Sequence, residues 1–237
     1  MTNSHRALPP YALRVSPRAR NVRLVIAPGK GLTLVVPPGF DASLAPGIVA
    51  GRLDWVNRHL ERIASMPEPE RLPPSSVELR AVERVLAVRY RAGDAASVSV
   101  RPAGPSSLCV SGGIACRDSV ARALRAWLKR EAARELGGML HVMAARTGLG
   151  YSGLTVRLQR SRWGSCSARG GVSLNARLLF LPPELCSYVL AHELAHTVHL
   201  NHSPEYWSFL EEIMPEARLL DRRLRSARRY VPWWALG

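Results

Sequence analysis

Four histidines fall within eleven positions in the stretch VLAHELAHTVHLNHSPEYW, residues 189–207, although the 237-residue chain holds only seven in all. His192-Glu193-Leu194-Ala195-His196 has the form HExxH. On a helix, side chains four apart lie one above the other on one face, so both imidazoles can reach a single ion. Neutral imidazole is a common zinc ligand, and two of them leave positions for a third ligand and a water. Glu193 stands one residue on, beside that face. There it can take a proton from a metal-activated water and return it to a leaving group. Ala191, Leu194 and Ala195 flank these polar groups and would half-bury them. Buried polar groups need partners, and one metal supplies several.

The third ligand is less direct. His199 lies on nearly the same helical face as His192, but seven residues of helix separate the two along the axis by about 10 Å. Chelation by both on one straight helix is strained. His202 comes ten residues after His192, the offset at which the zinc-binding pattern HExxHxxGxxH swings a third histidine back. That pattern has glycine where this chain has His199. Asn201 is the candidate turning residue, since asparagine tolerates left-handed backbone. His202 is therefore the chosen ligand, with Glu205, Glu211 and Glu212 as alternatives and His199 in a structural or supporting role.

The elements that must position these groups follow from periodicity. Residues 12–37 alternate apolar and polar around Pro28-Gly29-Lys30-Gly31, which predicts a hairpin. A helix is expected over 43–64, with Leu44, Ile48, Leu53, Val56, Leu60 and Ile63 as its apolar face. MPEPERLPPSS, residues 66–76, reads as an exposed connector. Short strands are expected at 77–80, 85–91, 96–101 and 107–110. From Asp118 apolar residues recur at helical spacing, predicting one long helix over 118–146, ended by glycines. Strand-like segments follow at 154–159 and 172–180. Pro182-Pro183-Glu184 opens the histidine-bearing helix. Ser203 caps the next, and beyond Pro215 an arginine-rich helix runs from about Glu216 to Tyr230.

Composition bounds the rest. Hydrophobic residues at 47% and charged residues at 22% suit a globular chain. No apolar run approaches the ~18–20 residues that cross a bilayer, and the first residues carry no signal-type apolar segment. A cytoplasmic location with no membrane partner is the expectation. Cys109, Cys116, Cys166 and Cys186 show no CxxC pairing and read as reduced thiols. The net charge is +15, but of 33 basic residues only Lys30 and Lys129 are lysine. That bias is the kind a GC-rich coding sequence produces, so the charge favours polyanions generally and identifies none.

From Arg160 to Trp207 the chain resembles the YgjP-like metallopeptidases, relatives of the SprT and WLM groups among the zincins. The matching pieces are RSRWGSCS (160–167), VSLN (172–175), LPPELCSYVLAHELAH (181–196) and NHSPEYW (201–207). Ala176 stands where tryptophan is usual and Tyr206 where phenylalanine is common. The resemblance implies an α+β fold with a zincin-like core, the HExxH helix packed on a small sheet and a β-rich region before it. It implies one region over 12–230, built from a β-rich part (12–112) and a catalytic core (118–230). It implies one Zn²⁺ held by His192, His196 and His202, with Glu193 as general base. A strand beside the metal helix, with 172–180 as candidate, would pair with an extended peptide. Arg162 and Asn175 are candidate contacts to substrate or transition state, and Cys166 reads as a structural thiol.

Three functions compete on this reading. The first is a zinc peptidase acting on a peptide or protein. The second keeps the metal and hydrolyses nucleoside triphosphates, UTP above all, to release pyrophosphate, as proteins resembling this family have been assigned. No Gly-rich phosphate loop or multi-carboxylate magnesium site favours it. The third is weak nucleic-acid association, with the six arginines of 218–229 as a tether to DNA; a solvated helix face is the plainer reading of that run. Oligomeric state is not legible.

Overall fold

The computed structural model describes residues 8–27, 31–64, 73–95 and 97–236. The chain divides into two compact units, 1–70 and 71–237. In the first, β1 (Tyr11–Val15), β2 (Arg23–Ala27) and β3 (Gly31–Val36) form a sheet in the order β1-β3-β2. β2 and β3 pair antiparallel as the hairpin reading requires; its turn, 28–30, lies outside the described residues. β1 joins β3 in parallel. The helix expected over 43–64 is broken. A 3-10 turn (Ala42–Leu44), with Asp41 accepting from Ser43 N–H, leads into α1 (Ala45–Ala50), and α2 (Leu53–Ala64) follows. At the break Arg52 N–H bonds three residues back to Val49, a tightened turn that separates the two. Val49 and Val56 pack with Leu32 in a small core of their own. The connector reading at 66–72 falls outside the described residues.

The second unit is α+β. β4 (Ser76–Leu79), β5 (Arg84–Ala92), β6 (Val98–Pro102) and β7 (Ser107–Gly112) make a sheet in the order β4-β5-β7-β6. Alternate residues Val77, Leu79, Leu86, Val88, Leu108 and Val110 turn inward, the period-2 signature of a sheet with one buried face. They meet α3 (Arg117–Thr147), whose Leu124, Leu128, Leu136 and Leu140 are wholly buried. Burying a leucine of this kind contributes about 1.5–3 kcal/mol, so α3 anchors the core. It ends where Gly148 takes a left-handed conformation (φ +70°), which a side chain would strain. Arg84 reaches across from β5 to Glu131 and Glu135 on α3, each at 2.8 Å.

Beyond α3, β8 (Gly153–Arg157), β9 (Gly164–Cys166) and β10 (Gly171–Asn175) form a third sheet, ordered β8-β10-β9. The strand expected over 172–180 stops at Asn175, and 176–180 is a buried 3-10 turn. Asn175 ends it by accepting a hydrogen bond from Arg177 N–H. α4 (Pro183–Ala195) carries the histidine motif, buried on most sides and lying against β9. α5 (Pro204–Ile213) and α6 (Ala217–Leu224) follow. The arginine-rich helix expected to Tyr230 ends at Leu224, and 227–230 is a separate 3-10 turn. α7 (Trp233–Leu236) docks on α3, burying Trp234 against Phe180. No helix among the described residues is long and apolar enough to cross a membrane.

Candidate metal centre

Proline at the start of α4 supplies a fixed φ and no N–H, which suits a first turn. Thirteen residues later the helix is closing, and His192 and His196 sit one turn apart near its end. The chain then turns tightly. Thr197 N–H bonds to Leu194 O, while Val198 and His199 N–H both reach Ala195 O. These short bonds, with right-handed backbone at His196, reverse the direction. Asn201 is not in the left-handed region, where Glu83 is the one non-glycine among the described residues. The turn was expected there because a known pattern uses glycine; here 3-10 closure performs it. Ser203 then caps α5 by accepting from Tyr206 N–H.

The reversal returns His202 to His192, Nε2 to Nε2 at 3.1 Å. Ring centroids of the three histidines form a near-equilateral triangle with sides of 4.8, 5.0 and 4.7 Å. Their ligand atoms all lie within 4.8 Å of one another. Ligand nitrogens around a tetrahedral zinc at ~2.0–2.1 Å stand about 3.3 Å apart, so small ring rotations suffice to bind. Glu205 instead takes a hydrogen bond from Ser203, and Glu211 pairs with Arg218 at 2.6 Å.

Hydrogen bonds fix which nitrogens are free. His196 Nδ1 donates to His199 O at 2.8 Å, leaving Nε2 its lone pair. His199 thus supports the site through its carbonyl, while its ring packs edge-on to Phe209. His192 Nδ1 lies 2.7 Å from the Tyr206 hydroxyl, which itself donates to His192 O at 3.3 Å. The hydroxyl therefore accepts from Nδ1–H, and Nε2 of His192 is again unprotonated. Tyr188 stands 3.3 Å from the same Nδ1 and donates to Asp221 at 3.2 Å. Burial pushes both phenols up, so they stay protonated. Burial, then the neighbouring His196 and His202, lowers His192 to about 4 against a weaker pull from Asp221. Burial likewise lowers His196. Both are neutral at pH 7, the form that binds metal.

Glu193 is 4% exposed, and its Oε2 is buried without a partner. Burial raises its carboxyl to about 8, opposed by the charge of Arg162. A carboxylate this dry is stable only beside a positive centre, and it stands one residue along α4 from His192, whose Nε2, like that of His196, keeps its lone pair. The residues fit a divalent ion. Gly164 of β9 makes room for Glu193: a Cβ there would come within 2.4 Å of Oε1.

The remaining candidates sit differently. Asn175 is buried, and its amide donates to Gln159 O at 2.9 Å and Arg162 O at 2.7 Å. Both its N–H groups are committed to holding the 159–162 loop. Arg162 is exposed on that loop, near enough to influence Glu193. The Cys166 thiol donates to Ser167 O, and burial, then Glu193, holds it protonated, which suits a structural thiol. β10 is the central strand of its sheet, paired on both sides, so the edge beside α4 belongs to β9 and not to 172–180. Tyr188, Asp221, Tyr206 and Gly164 were not read as site residues from sequence. Tyr188 could have been found, because it precedes His192 by one helical turn. In the arginine-rich segment, Arg218, Arg223 and Arg225 pair with Glu211, Glu184 and Asp221, and Arg228 bonds to Arg160 O.

The profile of the family described as YgjP-like, metallopeptidase domain, matches residues 20–227. Among curated proteins no match is found. Two crystal structures are similar over part of the chain. The metallopeptidase zymogen abylysin of Pyrococcus abyssi is 25% identical, covering 38% of this chain and 91% of that one with a TM-score of 0.35. The metallopeptidase zymogen jannalysin of Methanocaldococcus jannaschii is 16% identical, covering 38% and 94% with a TM-score of 0.34.

Proposed function

The chain belongs to the YgjP-like metallopeptidase family, and from that premise we propose that it is a zinc-dependent peptidase with His192, His196 and His202 as ligands and Glu193 as general base. The observation that carries the reading is the buried, partnerless Oε2 of Glu193 in the same motif as His192 and His196, whose ligand atoms converge with that of His202 to within 4.8 Å of one another. One zinc ion bound there would polarise the scissile carbonyl and lower the pKa of water to about 7. Glu193 accepts the proton of the attacking water at Oε2 and later passes it to the departing amine nitrogen. Gly164 keeps the carboxylate in place by leaving it room. The hydroxyl of Tyr206 and the carbonyl of His199 fix two ligand rings, so their orientation costs no entropy on binding.

β9 is the strand on which an extended substrate would lie. Trp163 O and Ser167 N–H bond to β10. In an antiparallel ladder such groups alternate, so the N–H and C=O of Gly164 and Cys166 face the free edge. Arg162, beside that edge, is placed to meet negative charge on the carbonyl oxygen. Asn175 acts through the loop it clamps.

The test is hydrolysis of a peptide pool by purified protein and by Glu193→Gln. We expect the wild type to cleave, and the variant to retain zinc but fall by about 10²–10⁴-fold, the usual worth of a general base. Release of pyrophosphate from UTP without peptide cleavage would replace this reading with the nucleotide one. A DNA tether is the weaker reading, because Arg218, Arg223 and Arg225, three of its six arginines, are paired with carboxylates of the chain itself.

A further inference from the structure

A groove of about 860 Å³ crosses the third sheet from β8 over β10 to β9, bounded by the 157–162 loop. Thr155 pairs across strands with Ser173, and Ser173 with Ser165, so their hydroxyls form one row on one face of the sheet. The opposite face, with Val156 and Leu174, is buried in the core. Around the row stand Arg157, Arg160 and Arg162, and no carboxylate lines the groove. Among the described residues neither Arg157 nor Arg162 has an ion-pair partner. Three arginines and no carboxylate along its lining make this groove, set against the edge strand, cationic and suited to an anionic ligand.

We propose that this groove selects protein substrates rich in Asp and Glu, its arginines gripping side-chain carboxylates beside the scissile bond. The proposal rests on the peptidase reading and names the substrate class of that site. Side chains of a segment paired along β9 alternate between the two faces of the sheet, so every second one turns toward the hydroxyl row and the arginines. Guanidinium matches a carboxylate with two parallel N–H···O bonds, and Ser and Thr hydroxyls supply further donors. A phosphate-bearing ligand would also find charge here. But no aromatic ring lines the groove, and base recognition by unpaired strands leans on aromatic stacking. A carboxylate side chain on an extended backbone uses both the edge and the charge.

The experiment uses the full chain loaded with zinc and twin fluorogenic peptides, one with Glu at alternate positions around the cleavable bond and one with Gln in their place. We expect kcat/KM for the Glu peptide to be higher by about tenfold at low salt, with the advantage shrinking as salt rises from about 50 to 200 mM. In Arg157→Gln the ratio of the two rates should fall toward one. Equal rates for the twins with wild-type protein overturn the inference and leave the peptidase reading standing. If neither peptide is cleaved, that reading fails, and anisotropy of the labelled peptides on Glu193→Gln decides the groove's preference. Tighter binding of the Glu peptide supports it, and equal binding overturns it. Displacement of the Glu peptide by UTP or a single-stranded oligonucleotide at lower concentration than by unlabelled peptide also overturns it, in favour of phosphate.

Discussion

Tyr206 shows how one hydroxyl can set the tautomer of a proposed metal ligand. It stacks on His196, with ring centroids 4.7 Å apart, and accepts from His192 Nδ1–H. Without that acceptor the proton of His192 is free to move to Nε2, where it would block the lone pair. Tyr206→Phe keeps the ring and its packing while removing only the hydroxyl. We expect about 10–100-fold weaker zinc affinity by chelator competition, with the fold unchanged by circular dichroism. Unaltered affinity would mean that Tyr188, at 3.3 Å from the same nitrogen, suffices.

At the scale of elements, the site is made by the meeting of α4 with β9 and of α4 with the start of α5. Gly164→Ala tests the first contact. The added methyl must displace the Glu193 carboxyl, since it would arrive 2.4–2.7 Å from three of its side-chain atoms. Zinc content should stay near one per chain while kcat falls by about tenfold or more, because a displaced base no longer meets its proton. Full activity in that variant would remove Glu193 from the mechanism. The histidine spacing, Ser203 as a cap and the long apolar stripe of α3 were legible in the sequence because local periodicity and capping chemistry dictate them. β9 was not. Gly164, Ser165 and Cys166 have no strand-forming bulk, and the segment is extended only because β10 pairs with it. The end of β10 at Asn175 was hidden for a related reason: Val172 and Leu174 continue into equally apolar 176–180, and only the side-chain bond from Asn175 to Arg177 N–H marks the change. The turn before His202 depends on backbone bonds that no residue type announces.

For the whole molecule, the net charge of +15 is distributed unevenly in its consequences. On α6, Arg218 and Arg223 are spent on pairs with Glu211 and Glu184. Arg177, only 5% exposed, is consumed by the carbonyls of Gln159, Ala235 and Leu236, which ties the 159–162 loop to α7. The core of the second unit runs continuously from the β4–β7 sheet through α3 to α4 and α7, while the first unit has small cores of its own. Residues 71–237 produced alone should therefore unfold in one cooperative transition and bind zinc as the full chain does. A broad, non-cooperative melt would show that the second unit depends on residues before 71. The most direct test of the account is the zinc content of purified wild type and His202→Ala, measured by elemental analysis after identical dialysis. One zinc per wild-type chain and loss of most of it in the variant is the predicted result; an undiminished content in His202→Ala would contradict the three-histidine centre.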